Sequence, residues 1–93
     1  MAVILQGNLS RSRLAQENLD QMARERGADL LILSEQYRPA PGPGWYEDRT
    51  GMAAIVIRNT SKFPVTGTGD GDGFVWIASG PITVVSCYHR ISR

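Results

Sequence analysis

The chain has 93 residues, a formal net charge of +1 and a single cysteine, Cys87. A chain of this length forms at most one small domain. The net charge is too small to attract nucleic acid over long distances, so such a partner would require a local basic patch. One cysteine excludes an internal disulfide and a zinc site built from several cysteines. No apolar run approaches the roughly 20 residues that cross a membrane, so we expect a soluble intracellular protein.

The first part of the sequence predicts a βαβ unit. Ala2–Leu5 is apolar and rich in β-branched residues, as in a buried strand. From Arg11 to Arg26 the apolar side chains recur at helical spacing, and Gly27 stands where a helix C-cap belongs. Leu30–Leu33 is a second apolar run, which predicts a strand parallel to the first, joined to it by a right-handed crossover.

The rest of the sequence predicts mostly antiparallel structure. The predicted elements are a loop at Arg38–Gly44, a strand at Met52–Arg58, a short edge segment at Phe63–Val65, a flexible loop at Thr66–Gly73, and strands at Phe74–Ala78 and Ile82–Tyr88. The last two strands flank Ser79-Gly80-Pro81, so they should form a β-hairpin with a tight turn. Cys87 alternates with Tyr88 on the last strand, and we expect it to be buried.

Two polar side chains follow the strands of the βαβ unit. Asn8 comes just after the first strand and Glu35 just after the second. Because parallel strands place their carboxyl ends at one rim, the amide and the carboxylate should lie near each other. A lone carboxylate suits Mg²⁺, which keeps several waters and takes one or two protein carboxylates. Spacing alone favours a simpler interpretation, in which Asn8 or Ser10 is a helix N-cap and Glu35 is a solvated loop residue.

Six segments of the sequence follow one another in an order typical of one protein family: Gln6–Ala15, Gly27–Tyr37, Gly44–Tyr46, Gly51–Ile55, Gly71–Ile77 and Val84–Tyr88. Through these segments the sequence resembles the opening of the endonuclease/exonuclease/phosphatase family, and in particular the apurinic-type endonuclease domain of non-LTR (LINE-type) retrotransposons. The resemblance implies an α/β fold in which residues 1–93 form the N-terminal part of a deoxyribonuclease-I-like sandwich, truncated after a βαβ unit and several antiparallel strands.

The resemblance also assigns roles to three residues. Asn8 matches the asparagine that orients the phosphate and the metal-site network. Glu35 matches the metal-binding glutamate, and Tyr88 matches the tyrosine whose hydroxyl hydrogen-bonds the scissile phosphate. The implied activity is Mg²⁺-dependent hydrolysis of a DNA phosphodiester, which nicks a target strand, in a parent protein expected to be nuclear. A family phosphatase or sugar-phosphate hydrolase is an alternative enzyme.

Further residues near the rim are candidates for contact with DNA. Arg11 and Arg13 stand at the start of the predicted helix and could bind phosphates together with the helix N-terminus. Tyr37 and Arg38 follow Glu35 and could touch substrate. The alternatives are a solvated first helical turn for the two arginines and ordinary loop packing for Tyr37 and Arg38.

Two catalytic segments of the family have no counterpart in this sequence. One is the Gly-Asp-x-Asn segment that positions water and phosphate, and the other is the final Asp-His pair that supplies the general base. His89 is the sole histidine, and we expect it to be a surface residue at a strand end. The chain is therefore expected to be catalytically incomplete, and the alternative function is a non-catalytic remnant or binding module.

Overall fold

The computed structural model of the chain describes residues 2–37 and 42–88, which contain one helix and seven strands. In chain order these are β1 (Ile4–Asn8), α1 (Arg13–Arg26), β2 (Leu30–Ser34), β3 (Trp45–Glu47), β4 (Ala53–Ile57), β5 (Gly67–Gly71), β6 (Phe74–Ser79) and β7 (Ile82–Cys87). Arg38 and His89 lie outside the described residues. None of the helices in the described ranges is long and apolar enough to span a membrane.

Helix α1 is capped at both ends. The backbone of Ser12 is extended (φ −93°, ψ 122°), and its hydroxyl accepts a hydrogen bond from the Ala15 N–H at 3.1 Å. Gly27 adopts the left-handed conformation (φ 62°, ψ 44°), which confirms the predicted C-cap. The predicted N-caps, Asn8 and Ser10, are wrong: β1 runs on to Asn8, so the helix begins later and Ser12 takes the capping position.

The first sheet has the strand order β1-β2-β4-β3. Strands β1 and β2 are parallel, which confirms the βαβ unit, whereas β4 is antiparallel to β2 and β3 is antiparallel to β4. Strand β3 was not predicted. It has only three residues and directly follows a segment rich in proline and glycine, so no period-two pattern of useful length reveals it.

The second sheet has the order β5-β6-β7 and is entirely antiparallel. The predicted hairpin of β6 and β7 is confirmed, and Gly80 (φ 58°) supplies the positive φ that its tight turn requires. Phe63–Val65 is not a strand, although the Phe63 side chain is buried. The flexible loop predicted at Thr66–Gly73 is also wrong, because most of it forms β5.

Strand β5 is built from alternating glycines that face large side chains on β6. Gly69 pairs with Trp76, and a Cβ added at Gly69 would lie 2.6 Å from the indole Nε1. Gly71 pairs with Phe74, and a Cβ there would collide with the Phe74 ring. The aromatic rings of β6 therefore occupy the space above β5 where side chains would otherwise stand. This cross-strand packing compensates for the low intrinsic strand propensity of glycine.

The two sheets and the helix form three layers around two apolar clusters. Leu31 and Leu33 of β2 face the helix and pack in a cluster with Ala23 of α1. Leu30 of β2 faces the second sheet and packs with Ile77 of β6. Strand β4 alternates in the same way, and all of its residues are buried. Because β2 and β4 are covered on both faces, their sequences are continuously apolar rather than alternating.

A buried hydrogen bond joins strand β7 to the first sheet, in addition to the apolar packing between them. The Ser86 hydroxyl donates a hydrogen bond to the Leu33 carbonyl oxygen at 2.9 Å. Because Ser86 faces the first sheet, its neighbours Val85 and Cys87 face outward and are exposed. The prediction that Cys87 is buried is therefore wrong, since Tyr88 and Cys87 cannot both point into the sandwich.

Candidate functional site

Asn8 and Glu35 lie side by side at the carboxyl ends of β1 and β2. Asn8 is in register with Ser34, and Glu35 is the next residue along β2's chain. The two segments stay hydrogen-bonded beyond the strands, through Leu9 N–H to the Ser34 carbonyl (2.9 Å) and Arg11 N–H to the Glu35 carbonyl (2.7 Å). The topology thus fixes the two polar residues at one rim, as the sequence predicted.

The backbone at this rim is strained. Within residues 2–37 and 42–88, the non-glycine residues with positive φ are Ser10 (50°), Arg11 (58°) and Glu35 (51°). The left-handed conformation costs an L-residue roughly 1–2 kcal/mol. Such residues tend to cluster at functional sites, where the surrounding structure holds them in place. Here Arg11 and Glu35 support each other through their backbone hydrogen bond.

The side chains of Asn8 and Glu35 are available for a ligand. Asn8 is exposed, and its Oδ1 accepts a hydrogen bond from the Ser10 N–H at 3.0 Å, which leaves its Nδ2 as a donor. Glu35 is half-buried, and its carboxylate has neither a hydrogen-bond nor an ion-pair partner among the residues the structure describes. No group of three or more His, Cys, Asp or Glu side chains in those ranges could hold a metal ion.

Tyr88 stands on the second sheet, directly after β7. It is half-buried and packs against the apolar cluster between the sheets, while its N–H donates to the Gly73 carbonyl at 2.7 Å. Its neighbour Cys87 and Asn8 both line an open cleft of about 240 Å³ between β1, β2 and β7. The end of β7 and the rim that holds Asn8 therefore face the same cleft. No hydrogen bond joins the Tyr88 side chain to Asn8 or Glu35 in the described part of the chain.

The residues predicted to contact DNA separate into two places. The Arg11 guanidinium lies along the rim, where Nη1 donates to the Gln36 carbonyl at 3.1 Å and Nη2 to the Met52 sulfur at 2.8 Å. Arg13 and Tyr37 instead share an adjoining cleft of about 330 Å³ with Gln16 and Glu17. There, Arg13 forms an exposed ion pair with Glu17 at 3.8 Å, and Gln16 accepts the Tyr37 N–H at 2.7 Å.

Asp48 is a buried carboxylate near the rim that the sequence did not reveal. Its Oδ1 accepts hydrogen bonds from the N–H groups of Met52 (2.8 Å) and Ala53 (3.0 Å). Its Oδ2 accepts from the Thr50 hydroxyl (2.6 Å) and N–H (3.2 Å) and from the Gly73 N–H (2.8 Å). A glutamate or aspartate in a turn is a common surface feature, so nothing in the local pattern distinguished this one.

These hydrogen bonds set the ionisation of Asp48. Burial by itself would raise the pKa of the carboxyl, but the donors from Thr50, Ala53, Gly73 and Met52 outweigh it and lower the pKa below 3.8. Asp29, at the opposite end of β2, behaves similarly. A hydrogen bond from the Val3 N–H, followed by one from the Asn59 amide, lowers the pKa of Asp29.

The lowered pKa of Asp48 predicts loss of stability in acid. Its stabilising contribution is complete above the unfolded-state pKa, near 3.8, and is lost as the pH falls through the lower folded-state pKa. Urea unfolding between about pH 5 and about pH 2 should show a smaller decrease in unfolding free energy for Asp48→Asn than for the unsubstituted chain. Equal decreases in the two proteins would contradict this assignment.

Comparison with known proteins identifies a solved structure with a similar fold. The endonuclease domain of TRAS1, a telomere-specific non-LTR retrotransposon, matches 97% of this chain with a TM-score of 0.70 and 23% sequence identity. The matched region covers 45% of that domain. No protein-family model matches the sequence, and no curated protein shows significant similarity to it. The chain therefore has the mixed α/β fold expected from its sequence, and spans less than half the length of the endonuclease domain it resembles.

Proposed function

We propose that this chain supplies the metal-binding rim of a Mg²⁺-dependent DNA endonuclease and that by itself it nicks DNA weakly or not at all. The observation that carries the proposal is the placement of Asn8 and Glu35 on strained backbone at the ends of two parallel strands. The Glu35 carboxylate has no partner among the described residues. The similarity of the fold to the TRAS1 endonuclease domain supports the class of reaction. We further propose that the parent protein acts on DNA in the nucleus.

The donor set fits a magnesium ion better than a softer metal. Glu35 offers one hard carboxylate, and Mg²⁺ commonly binds through one or two carboxylates while it keeps water and phosphate oxygens as its other ligands. A bound Mg²⁺ would polarise a phosphoryl oxygen and stabilise a departing alkoxide. A site of this kind needs no cluster of protein ligands, which is consistent with the lack of one among the described residues.

The remaining rim residues would bind and orient the phosphate. Asn8 Nδ2 can donate to a phosphate oxygen because its Oδ1 is already engaged by Ser10. The Arg11 guanidinium is held along the rim by the Gln36 carbonyl, where it would supply positive charge to the bound phosphate. The Tyr88 hydroxyl would donate a further hydrogen bond to charge that develops on the phosphate. Arg13 and Tyr37, in the adjoining cleft, would contact the flanking DNA backbone.

The test combines DNA binding with DNA nicking. The chain should bind a short DNA duplex more tightly with Mg²⁺ or Mn²⁺ than with EDTA. Glu35→Ala should reduce this metal-dependent increase in affinity by at least about tenfold. Glu25→Ala is the matched control, because Glu25 is an exposed carboxylate near the far end of α1. Nicking of supercoiled plasmid in Mg²⁺ should be weak or undetectable.

Each part of the proposal has an outcome that would contradict it. Robust nicking that is abolished by Glu35→Ala would show that the chain is a complete nuclease. DNA binding that is unaffected both by divalent cations and by Glu35→Ala would contradict the proposal that Glu35 binds a metal. That second result would favour the alternative function, a non-catalytic DNA- or protein-binding module that keeps the fold without the chemistry.

A further inference from the structure

A continuous path of hydrogen bonds joins the two proposed site residues that lie on different sheets. The Glu35 N–H donates to the Met52 carbonyl (2.7 Å), and the Met52 N–H donates to Asp48 Oδ1 (2.8 Å). On the other side, the Gly73 N–H donates to Asp48 Oδ2 (2.8 Å), and the Tyr88 N–H donates to the Gly73 carbonyl (2.7 Å). The single carboxylate of Asp48 therefore connects the rim of the first sheet to the end of β7.

The turn that holds Gly73 is shaped for this connection. Gly73 has a φ of 85°, and a Cβ on it would lie 2.8 Å from the Tyr88 carbonyl oxygen. Only glycine allows the two backbones to approach so closely without strain. A further backbone bond in the same region, from the Arg49 N–H to the Gly71 carbonyl at 3.2 Å, holds the chain next to Asp48 against the second sheet.

Asp48 itself is not suited to bind a metal or DNA. It is buried, and its two oxygens already accept five hydrogen bonds. Each oxygen serves one arm of the path: Oδ1 holds the segment that leads to Glu35, and Oδ2 holds the turn that leads to Tyr88. The carboxylate is the shared anchor whose geometry sets how these two arms lie relative to each other.

We propose that Asp48 is a positioning residue, which fixes the separation of Glu35 and Tyr88 across the two sheets and so sets the geometry of the metal and phosphate site. The role of the site rests on the proposed function, whereas the coupling of the two sheets through Asp48 does not. Loss of the carboxylate should loosen both ends of the path together while the distant parts of the fold remain intact.

The test compares Asp48→Asn with Asp29→Asn. An asparagine at position 48 replaces one acceptor oxygen with an NH₂ group, which breaks one arm of the path. The remaining oxygen belongs to a neutral amide and accepts more weakly than a carboxylate oxygen, so the other arm is weakened as well. Asp29 is the matched control, because it is also a buried carboxylate that accepts N–H hydrogen bonds, but it lies before β2 at the opposite end of the first sheet. Both variants are studied in the full chain, at a temperature where circular dichroism shows each to be folded.

Two measurements decide the outcome. Amide hydrogen exchange at Glu35 and Tyr88 should become about tenfold faster in Asp48→Asn than in Asp29→Asn. The Mn²⁺ concentration that gives half-maximal binding of a DNA duplex should also rise about tenfold in Asp48→Asn alone. Equal changes in the two variants would reduce Asp48 to a general stabiliser and overturn the proposal, as would faster exchange at Gly73 with no change at Glu35 or Tyr88.

The two proposals fail in distinguishable ways. If the unsubstituted chain shows no divalent-dependent DNA binding, the proposed function fails, and the exchange comparison still decides whether Asp48 couples the sheets. If metal-dependent binding is present and depends on Glu35 but is equally insensitive to both aspartate substitutions, the proposed function stands and the positioning role of Asp48 is wrong.

Discussion

Glu35→Gly is expected to make the protein more stable than Glu35→Ala while both lose metal-dependent DNA binding. The backbone at position 35 is left-handed (φ 51°), so alanine keeps the strain of roughly 1–2 kcal/mol and glycine releases it. Glycine also increases the conformational entropy of the unfolded chain, which offsets about 0.4–1 kcal/mol of that gain. The net difference in unfolding free energy should be about 1 kcal/mol in favour of glycine.

The measurement is urea unfolding of the two variants, combined with duplex binding in Mn²⁺ and in EDTA. A glycine variant that is more stable but no longer responds to Mn²⁺ would show that the strain at Glu35 is retained for function rather than for folding. A glycine variant that is less stable than the alanine variant would contradict the strain assigned to this position. Retained metal-dependent binding in either variant would remove Glu35 from the site.

Gly44→Ala is expected to destabilise the protein far more than Gly51→Ala. Both glycines have positive φ, 88° and 73° respectively, so both substitutions introduce backbone strain. A Cβ at Gly44 would also lie 2.6 Å from the Ile57 carbonyl oxygen, whereas a Cβ at Gly51 meets no atom within 4 Å. The Gly44 carbonyl accepts a hydrogen bond from the Ile57 N–H at 2.7 Å. The backbone of Gly44 therefore cannot move away from Ile57 without breaking this hydrogen bond at the end of the buried strand β4.

The expected loss of unfolding free energy is about 1 kcal/mol for Gly51→Ala and about 3 kcal/mol for Gly44→Ala, because the second adds a steric clash to the strain. In a domain of this size these losses correspond to decreases of roughly 5 °C and 15 °C in melting temperature. Thermal unfolding followed by circular dichroism measures both. Similar melting temperatures for the two variants would contradict the close approach of Gly44 to β4.

The parts of the fold that the sequence predicted are those governed by local periodicity. The apolar stripe of α1, the glycine at its C-cap and the apolar run of β2 each follow from spacing alone, and they imply a parallel pair of strands. The rim follows from the same topology, because the ends of parallel strands must coincide. For this reason the sequence alone predicts that Asn8 and Glu35 lie together.

The parts that could not be predicted depend on contacts between distant segments. The glycines of β5 give no strand signal of their own, and they pair only because the rings of Phe74 and Trp76 fill the space above them. Asp48 likewise reaches the second sheet through a hydrogen bond from Gly73, which is 25 residues away in the chain. The sequence also did not predict that the Cys87 side chain points outward. Either alternate set of side chains on β7 could face the interior of the sandwich, and the buried hydrogen bond of the Ser86 hydroxyl selects the set that includes Ser86.

The packing of Trp76 over the glycines of β5 has a spectroscopic consequence. The chain has two tryptophans, and each belongs to a different sheet: Trp45 lies on β3 and packs with the cluster beneath α1, and Trp76 lies across the outer face of the second sheet. Their indole rings therefore experience different surroundings. Variants that keep one tryptophan each, Trp45→Phe and Trp76→Phe, give separate fluorescence signals for the two sheets, so each sheet can be followed individually as the protein unfolds or is titrated with a DNA duplex.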